Sequence, residues 1–151
     1  MDFCVRKKGE PLPYDLLLDA DPDREIVDEY CERGTVVTGV EGGRCIGVYV
    51  LIRTRPMTME LVNIAIAPDF QGKGYGKQLI ADAIARARDE GMLMLEVGTG
   101  NSSISQIAYY QKAGFRIVGV DLDFFAAHYP EPIYENGLQC RDMIRMQMQL
   151  G

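Results

Sequence analysis

The sequence predicts a three-layer α/β fold, in which one mixed, mostly antiparallel sheet carries helices on both faces. Three observations carry that expectation. Strand-like segments joined by a tight turn come early; a strand–helix–strand–helix–strand alternation follows; the chain then ends on a strand, Met143 to Leu150, in which apolar and polar residues alternate. At 151 residues the chain fits one domain, residues 1–151, with 47% hydrophobic residues to fill a core.

Taken in order, Phe3 to Lys7 reads as a first strand, after which Pro11 and Pro13 break the chain. Leu16, Leu17 and Leu18 begin an apolar helical patch. Asp21-Pro22 looks like an N-cap followed by a proline at the first helical position. Ile26, Val27 and Tyr30 recur at helical spacing until Gly34. Val36–Val40 and Cys45–Ile52 read as strands, with Glu41-Gly42-Gly43 as their hairpin turn. Leu61–Ala67 is a nearly unbroken apolar run, as expected of a strand buried on both faces. A glycine cluster then opens a helix. Leu79, Ile80, Ala83, Ile84 and Ala87 form its apolar face, and Lys77, Asp82, Arg86 and Asp89 face away. Gly91 closes that helix, and Met92–Val97 is a second buried strand. Gly98-Thr99-Gly100-Asn101 leads into a shorter helix bearing Ile104, Ile107 and Ala108 and ending at Gly114. Phe115–Val120 is a strand, and Asn136-Gly137 marks a hairpin turn before the last strand.

Twenty-two acidic against sixteen basic residues give a net charge of −6. That surface disfavours nucleic acid and anionic membranes and suits a cationic partner. Cys4, Cys31, Cys45 and Cys140 show no metal-ligand spacing, and no metal is expected. The first residues lack the apolar run of a signal peptide, and no segment approaches the roughly 18 apolar residues of a membrane span. Reduced thiols and a cytoplasmic location are the expectation. Monomer and homodimer stay equally open.

The informative stretch is Ile64-Ala65-Ile66-Ala67-Pro68-Asp69-Phe70-Gln71-Gly72-Lys73-Gly74-Tyr75-Gly76-Lys77. A strand passes through alternating glycines into a helix N-terminus, whose free N–H groups and positive dipole end suit a phosphate-bearing ligand. Two familiar phosphate loops fail on spacing. A P-loop needs a glycine where Gln71 stands and Ser/Thr where Gln78 stands, and a dinucleotide fingerprint needs its third glycine at Lys77.

Downstream lies Ala108-Tyr109-Tyr110-Gln111-Lys112-Ala113-Gly114-Phe115. Gln71-Gly72-Lys73-Gly74-Tyr75-Gly76 and Tyr110 through Gly114-Phe115 together resemble the Q/R-x-x-G-x-G/A loop and the Tyr-x-x-x-Gly-Phe helix end of the GNAT superfamily of N-acetyltransferases. The resemblance is to its small bacterial-type members. It implies acetyl-CoA as acyl donor, with the pyrophosphate held by Gln71, Gly72, Lys73, Gly74, Tyr75, Gly76 and Lys77. It implies that Ile64, Ala65 and Ile66 line the pantetheine arm, and that the two buried strands splay apart around it. Many members carry an asparagine where Ser103 stands; Asn101 lies two residues earlier, and both are candidate cofactor contacts.

Transfer to an amine needs a base, because an amine of pKa about 10.4 is almost wholly protonated at neutral pH, and an acid for the departing thiolate. Tyr110 is the candidate acid, placed about 120° around its helix from Ile104 so as to reach a cleft rather than the core. Glu60, at the start of the Leu61–Ala67 strand, is the candidate base through water. The resemblance assigns the segment after Val120 to the acceptor pocket. Its candidates are Phe124, Phe125, His128, Tyr129, Tyr134 and Glu135, the acceptor being a primary amine on a small molecule or peptide. Core packing accounts for the aromatics equally well. A catalytically idle acyl-CoA sensor on the same fold is the alternative.

Overall fold

A computed structural model describes residues 1–151. The chain runs β1 (Asp2–Val5), α1 (Tyr14–Ala20), α2 (Arg24–Arg33), β2 (Thr35–Glu41), β3 (Arg44–Arg55), β4 (Thr58–Ile66), α3 (Tyr75–Asp89), β5 (Met94–Gly100), α4 (Ile104–Ala113), β6 (Arg116–Asp121), α5 (Phe124–His128), β7 (Tyr134–Glu135), β8 (Leu138–Gln139) and β9 (Met143–Gln149). Seven strands form one sheet in the order β1-β2-β3-β4-β5-β9-β6, and β7-β8 make a separate hairpin. Every pairing is antiparallel except β4 with β5. No helix is long and apolar enough to cross a membrane.

Period-2 alternation along β3 distributes its side chains between two cores. Tyr49 and Leu51 join one with α3 and α4, built around Leu79, Ala83, Leu95 and Met146. Ile46, Val48, Val50 and Ile52 join the other with α1 and α2, around Leu17, Val27 and Cys31. Both hairpin turns take the backbone that their residues allow: Gly42 and Gly43 have φ of 57° and 78°, and Asn136 and Gly137 have 54° and 75°.

Several expectations change. The N-cap of α2 is Asp23, whose side chain accepts from the Ile26 N–H at 3.1 Å. Asp21 instead ends α1, and its carboxylate serves the site described below. Two charges expected to face away from α3 are drawn to the sheet. The Tyr49 hydroxyl donates to Asp82 at 2.5 Å, and Arg86 Nε donates to that hydroxyl at 2.9 Å. On α4, Ile104 is 53% exposed and Tyr110 only 6%. This helix packs by its C-terminal half, where Tyr110 meets Phe115 edge-on at 5.8 Å, and its N-terminus stands free of the core. Glu60 lies inside β4, because the strand begins at Thr58, ahead of its apolar run.

The β4–β5 ladder has four pairs, from Thr58 with Met94 to Leu61 with Val97. It stops beside a bulge: Leu61 faces Leu51 of β3 and Asn63 faces Val50, leaving Val62 as the extra residue. A bulge sharpens strand twist and bends the strand locally. Beyond it β4 keeps β3 and β5 keeps β9, while the two parallel strands part.

Candidate active site

The gap between β4 and β5 is a cleft in two parts. The outer part, of about 490 Å³, is lined by Ile64, Ala65, Ile66, Gln71, Gly72, Gly76, Tyr109 and the start of α4. The inner part, of about 420 Å³, is lined by Asp21, Asn63, Tyr110, Phe125, Tyr129 and Glu135 among others. Asp19, Ala20, Ile64 and Gln106 line both, so the two are continuous.

At the mouth of the outer part stands the glycine loop. Gly72 and Gly74 adopt φ of 75° and 86°, a left-handed backbone that only glycine enters cheaply. No backbone N–H from Gly72 to Lys77 donates to a protein acceptor; the first bond of α3 runs from Gln78 N–H to the Gly74 carbonyl. No side chain caps this helix, its first turn carries no acid, and Lys73 and Lys77 flank it. Six consecutive free donors at a positive dipole end form a concavity for an anion. The loop is pinned from both sides. Gln71 Nε2 donates to the Ile66 carbonyl at 3.0 Å, and Arg44 forks onto Asp69 at 2.7 and 3.2 Å. Tyr109 donates to the Gly76 carbonyl at 2.6 Å, tying α4 to the first turn of α3.

Deeper in, Tyr110 projects from the core into the inner part. Its hydroxyl has no hydrogen-bond partner in the protein, and burial pushes its pKa upward, so the proton stays on at neutral pH. Asp21 is buried beneath the same cavity. It accepts from the Tyr30 and Tyr129 hydroxyls at 3.1 and 3.0 Å and from the Asp23 N–H at 3.2 Å.

Not every sequence candidate meets here. Lys73, Gly74, Tyr75 and Lys77 border the cleft without lining it. Ser103 lines the inner part and donates to Glu135 at 2.7 Å. Asn101 does not line the cleft. Its amide donates to the Gln139 carbonyl and accepts from the Arg141 and Asp142 N–H groups, clipping β5 to the start of β9. Phe125, Tyr129 and Glu135 line the inner part, whereas Phe124, His128 and Tyr134 do not. Phe124 lies under the Arg145 guanidinium at 5.4 Å and against His128 at 4.6 Å, and Tyr134 is 68% exposed. A five-residue helix turns its side chains through more than a full circle, so neighbours in sequence face apart.

Glu60 stands in a different groove, with Glu96, Asp121 and Arg145, that shares no residue with the cleft. Burial raises its pKa, Arg145 at 3.8 Å opposes that, and Glu96 adds to it. A raised carboxyl favours the fold in acid, and that preference is lost as pH climbs through the folded pKa. Glu60→Gln should therefore gain more melting temperature, relative to the parent, near pH 7 than near pH 4. An equal difference at both pH values would contradict the burial effect.

Sequence reasoning passed over Asp19, Asp21, Asn63 and Tyr109. Tyr109 falls one residue outside the Tyr-x-x-x-Gly-Phe spacing that singles out Tyr110, and Asp21-Pro22 carries a capping pattern.

Residues 7–115 match the profile of the Acetyltransferase (GNAT) family. The uncharacterized N-acetyltransferase YvbK of Bacillus subtilis is 57% identical over 137 residues, 91% of this chain and 88% of that protein. An acetyltransferase of Elizabethkingia anophelis, solved with acetyl-CoA bound, superposes with a TM-score of 0.96 at 44% identity, covering 99% of this chain and 97% of that one. A Bacillus subtilis acetyltransferase in complex with CoA gives 0.93 at 52% identity, covering 99% and 98%.

Proposed function

The chain belongs to the acetyltransferase (GNAT) family, and on that premise we propose that it is an N-acetyltransferase that moves the acetyl group of acetyl-CoA onto a primary amine of a small molecule or peptide. All 151 residues serve this reading as one domain. One observation carries it: the row of free N–H groups at Gly72–Lys77 stands beside the cleft that Gly72 and Gly76 line at its outer end and Tyr110 at its inner end.

Acetyl-CoA, when bound, supplies an activated thioester. The loop N–H groups hold its pyrophosphate, and the free edge of β4 at Ile64, Ala65 and Ile66 faces the pantetheine arm. In this reading the amine attacks directly in a ternary complex, so the new C–N bond forms as the C–S bond breaks. Tyr110 gives its proton to the leaving sulfur. The amine's own proton passes to water in the open cleft, because Glu60 faces its separate groove. Asn101 acts by holding the end of β5. The four cysteines, all free, fit a reducing compartment.

Acetyl-CoA at about 100 times its dissociation constant should stabilise the fold by ~2.7 kcal/mol. For a chain of this size that raises the melting temperature by roughly 5–10 °C. NAD and ATP should do much less. An unchanged melting curve with acetyl-CoA would sink the proposal, and shift without thiol release across an amine panel would leave a binding protein in its place.

A further inference from the structure

The inner cavity carries charge of one sign. Asp19, Asp21 and Glu135 line it, and no Lys, Arg or His does. Ion pairs elsewhere occupy many of the other carboxylates, yet none involves these three. Asp21 is 8% exposed, and all three of its donors are neutral. A carboxylate buried without a counter-ion costs several kcal/mol and gains most from a cation brought to it.

A second group at the same cavity is also incomplete. Asn63, 4% exposed, donates through Nδ2 to the Leu17 carbonyl at 3.0 Å and to the Tyr30 hydroxyl at 2.8 Å. A carbonyl only accepts, so the amide orientation is set, and Oδ1 is the atom left without a partner. Asn63, Tyr30 and Asp21 thus form one chain of hydrogen bonds directed at the carboxylate. Tyr110, Phe125 and Tyr129 supply aromatic surface around it, which suits a cation.

We propose that the acceptor is an amine bearing a second positive charge, a diamine or polyamine, whose non-reacting ammonium is held by Asp21 in the inner cavity. The proposal rests on the acetyltransferase reading and names its substrate class. Asp21 is then a specificity-determining residue, set in place by Tyr30 and Tyr129.

The test titrates CoA-saturated protein by calorimetry with 1,4-diaminobutane, n-butylamine and 4-aminobutanoate, and compares their kcat/KM with acetyl-CoA. The diamine should lead butylamine by at least about 10-fold, ~1.4 kcal/mol, with the lead shrinking as salt rises. In Asp21→Asn, checked for folding by circular dichroism, the ratio of diamine to monoamine should fall toward one. Equal binding of diamine and monoamine, a preference for 4-aminobutanoate, or a ratio unchanged in Asp21→Asn would each overturn the proposal. Should that variant fail to fold, Glu135→Gln, at an exposed position of the same cavity, must lower the ratio at least twofold, and an unchanged ratio counts against it. Failure of CoA itself to bind strikes the acetyltransferase reading instead, and the titration of the free protein still decides the charge preference.

Discussion

Gly74→Glu should abolish useful cofactor affinity while leaving a folded protein. Gly74 is the residue before α3 and sits at φ 86°. A Cβ added there would meet no atom within 4 Å, so the first atom of a side chain has room and the main cost is the backbone, ~1–2 kcal/mol for a non-glycine residue in the left-handed region. A native stability of about 5–15 kcal/mol absorbs that. What the carboxylate changes is the field: a negative charge enters a concavity of six free N–H donors where an anion is to bind. The expected loss is at least about 100-fold in acetyl-CoA affinity, ~2.8 kcal/mol. Gly74→Ala is the matched control, since it carries the same backbone strain without the charge, and it should stay within several-fold of the parent. Calorimetric titration of both variants decides the matter. Wild-type affinity in Gly74→Glu, or equal losses in both variants, would remove the anion site from this loop.

Tyr110→Phe should lower turnover by about 100-fold or more with little change in acetyl-CoA affinity or melting temperature. The ring remains edge-on to Phe115 and tilted 5.3 Å from Tyr109, and the lost hydroxyl had no protein partner to strand. Its neighbour cannot take over readily, because the Tyr109 proton is committed to the Gly76 carbonyl. Tyr109→Phe should thus raise the KM for acetyl-CoA by loosening the first turn of α3, and should leave kcat less affected. The pH profile adds a second check. Burial raises the Tyr110 pKa above its ordinary value, so the acid stays protonated while the acceptor amine, of pKa about 10.4, becomes neutral. Wild-type rates should climb from neutral pH toward about pH 10 without an alkaline fall caused by Tyr110. Undiminished single-turnover thiol release by Tyr110→Phe would reduce this tyrosine to a packing residue.

Local features of the chain were enough for the glycine loop and for most of the layers. Gly72 and Gly74 announce a left-handed backbone, the apolar period of α3 announces a helix directly after them, and alternation in β9 announces a strand. These are properties of a few consecutive residues, settled by sterics and by which face must leave water. Position relative to distant strands is another matter. The bulge at Val62 that parts β4 from β5 depends on the register with β3, and no residue near Val62 signals it. Glu60 and Tyr110 both looked like cleft residues, yet the sheet turns Glu60 into a groove beside Arg145 and carries Tyr110 to the cleft through the core. Asp21 shows the limit most clearly. Its neighbours in sequence argue for a helix cap, while its partner Tyr129 lies 108 residues away. A carboxylate's role follows from which donors and charges surround it, and here the long-range packing of α1, α2 and the segment before β9 brings them together.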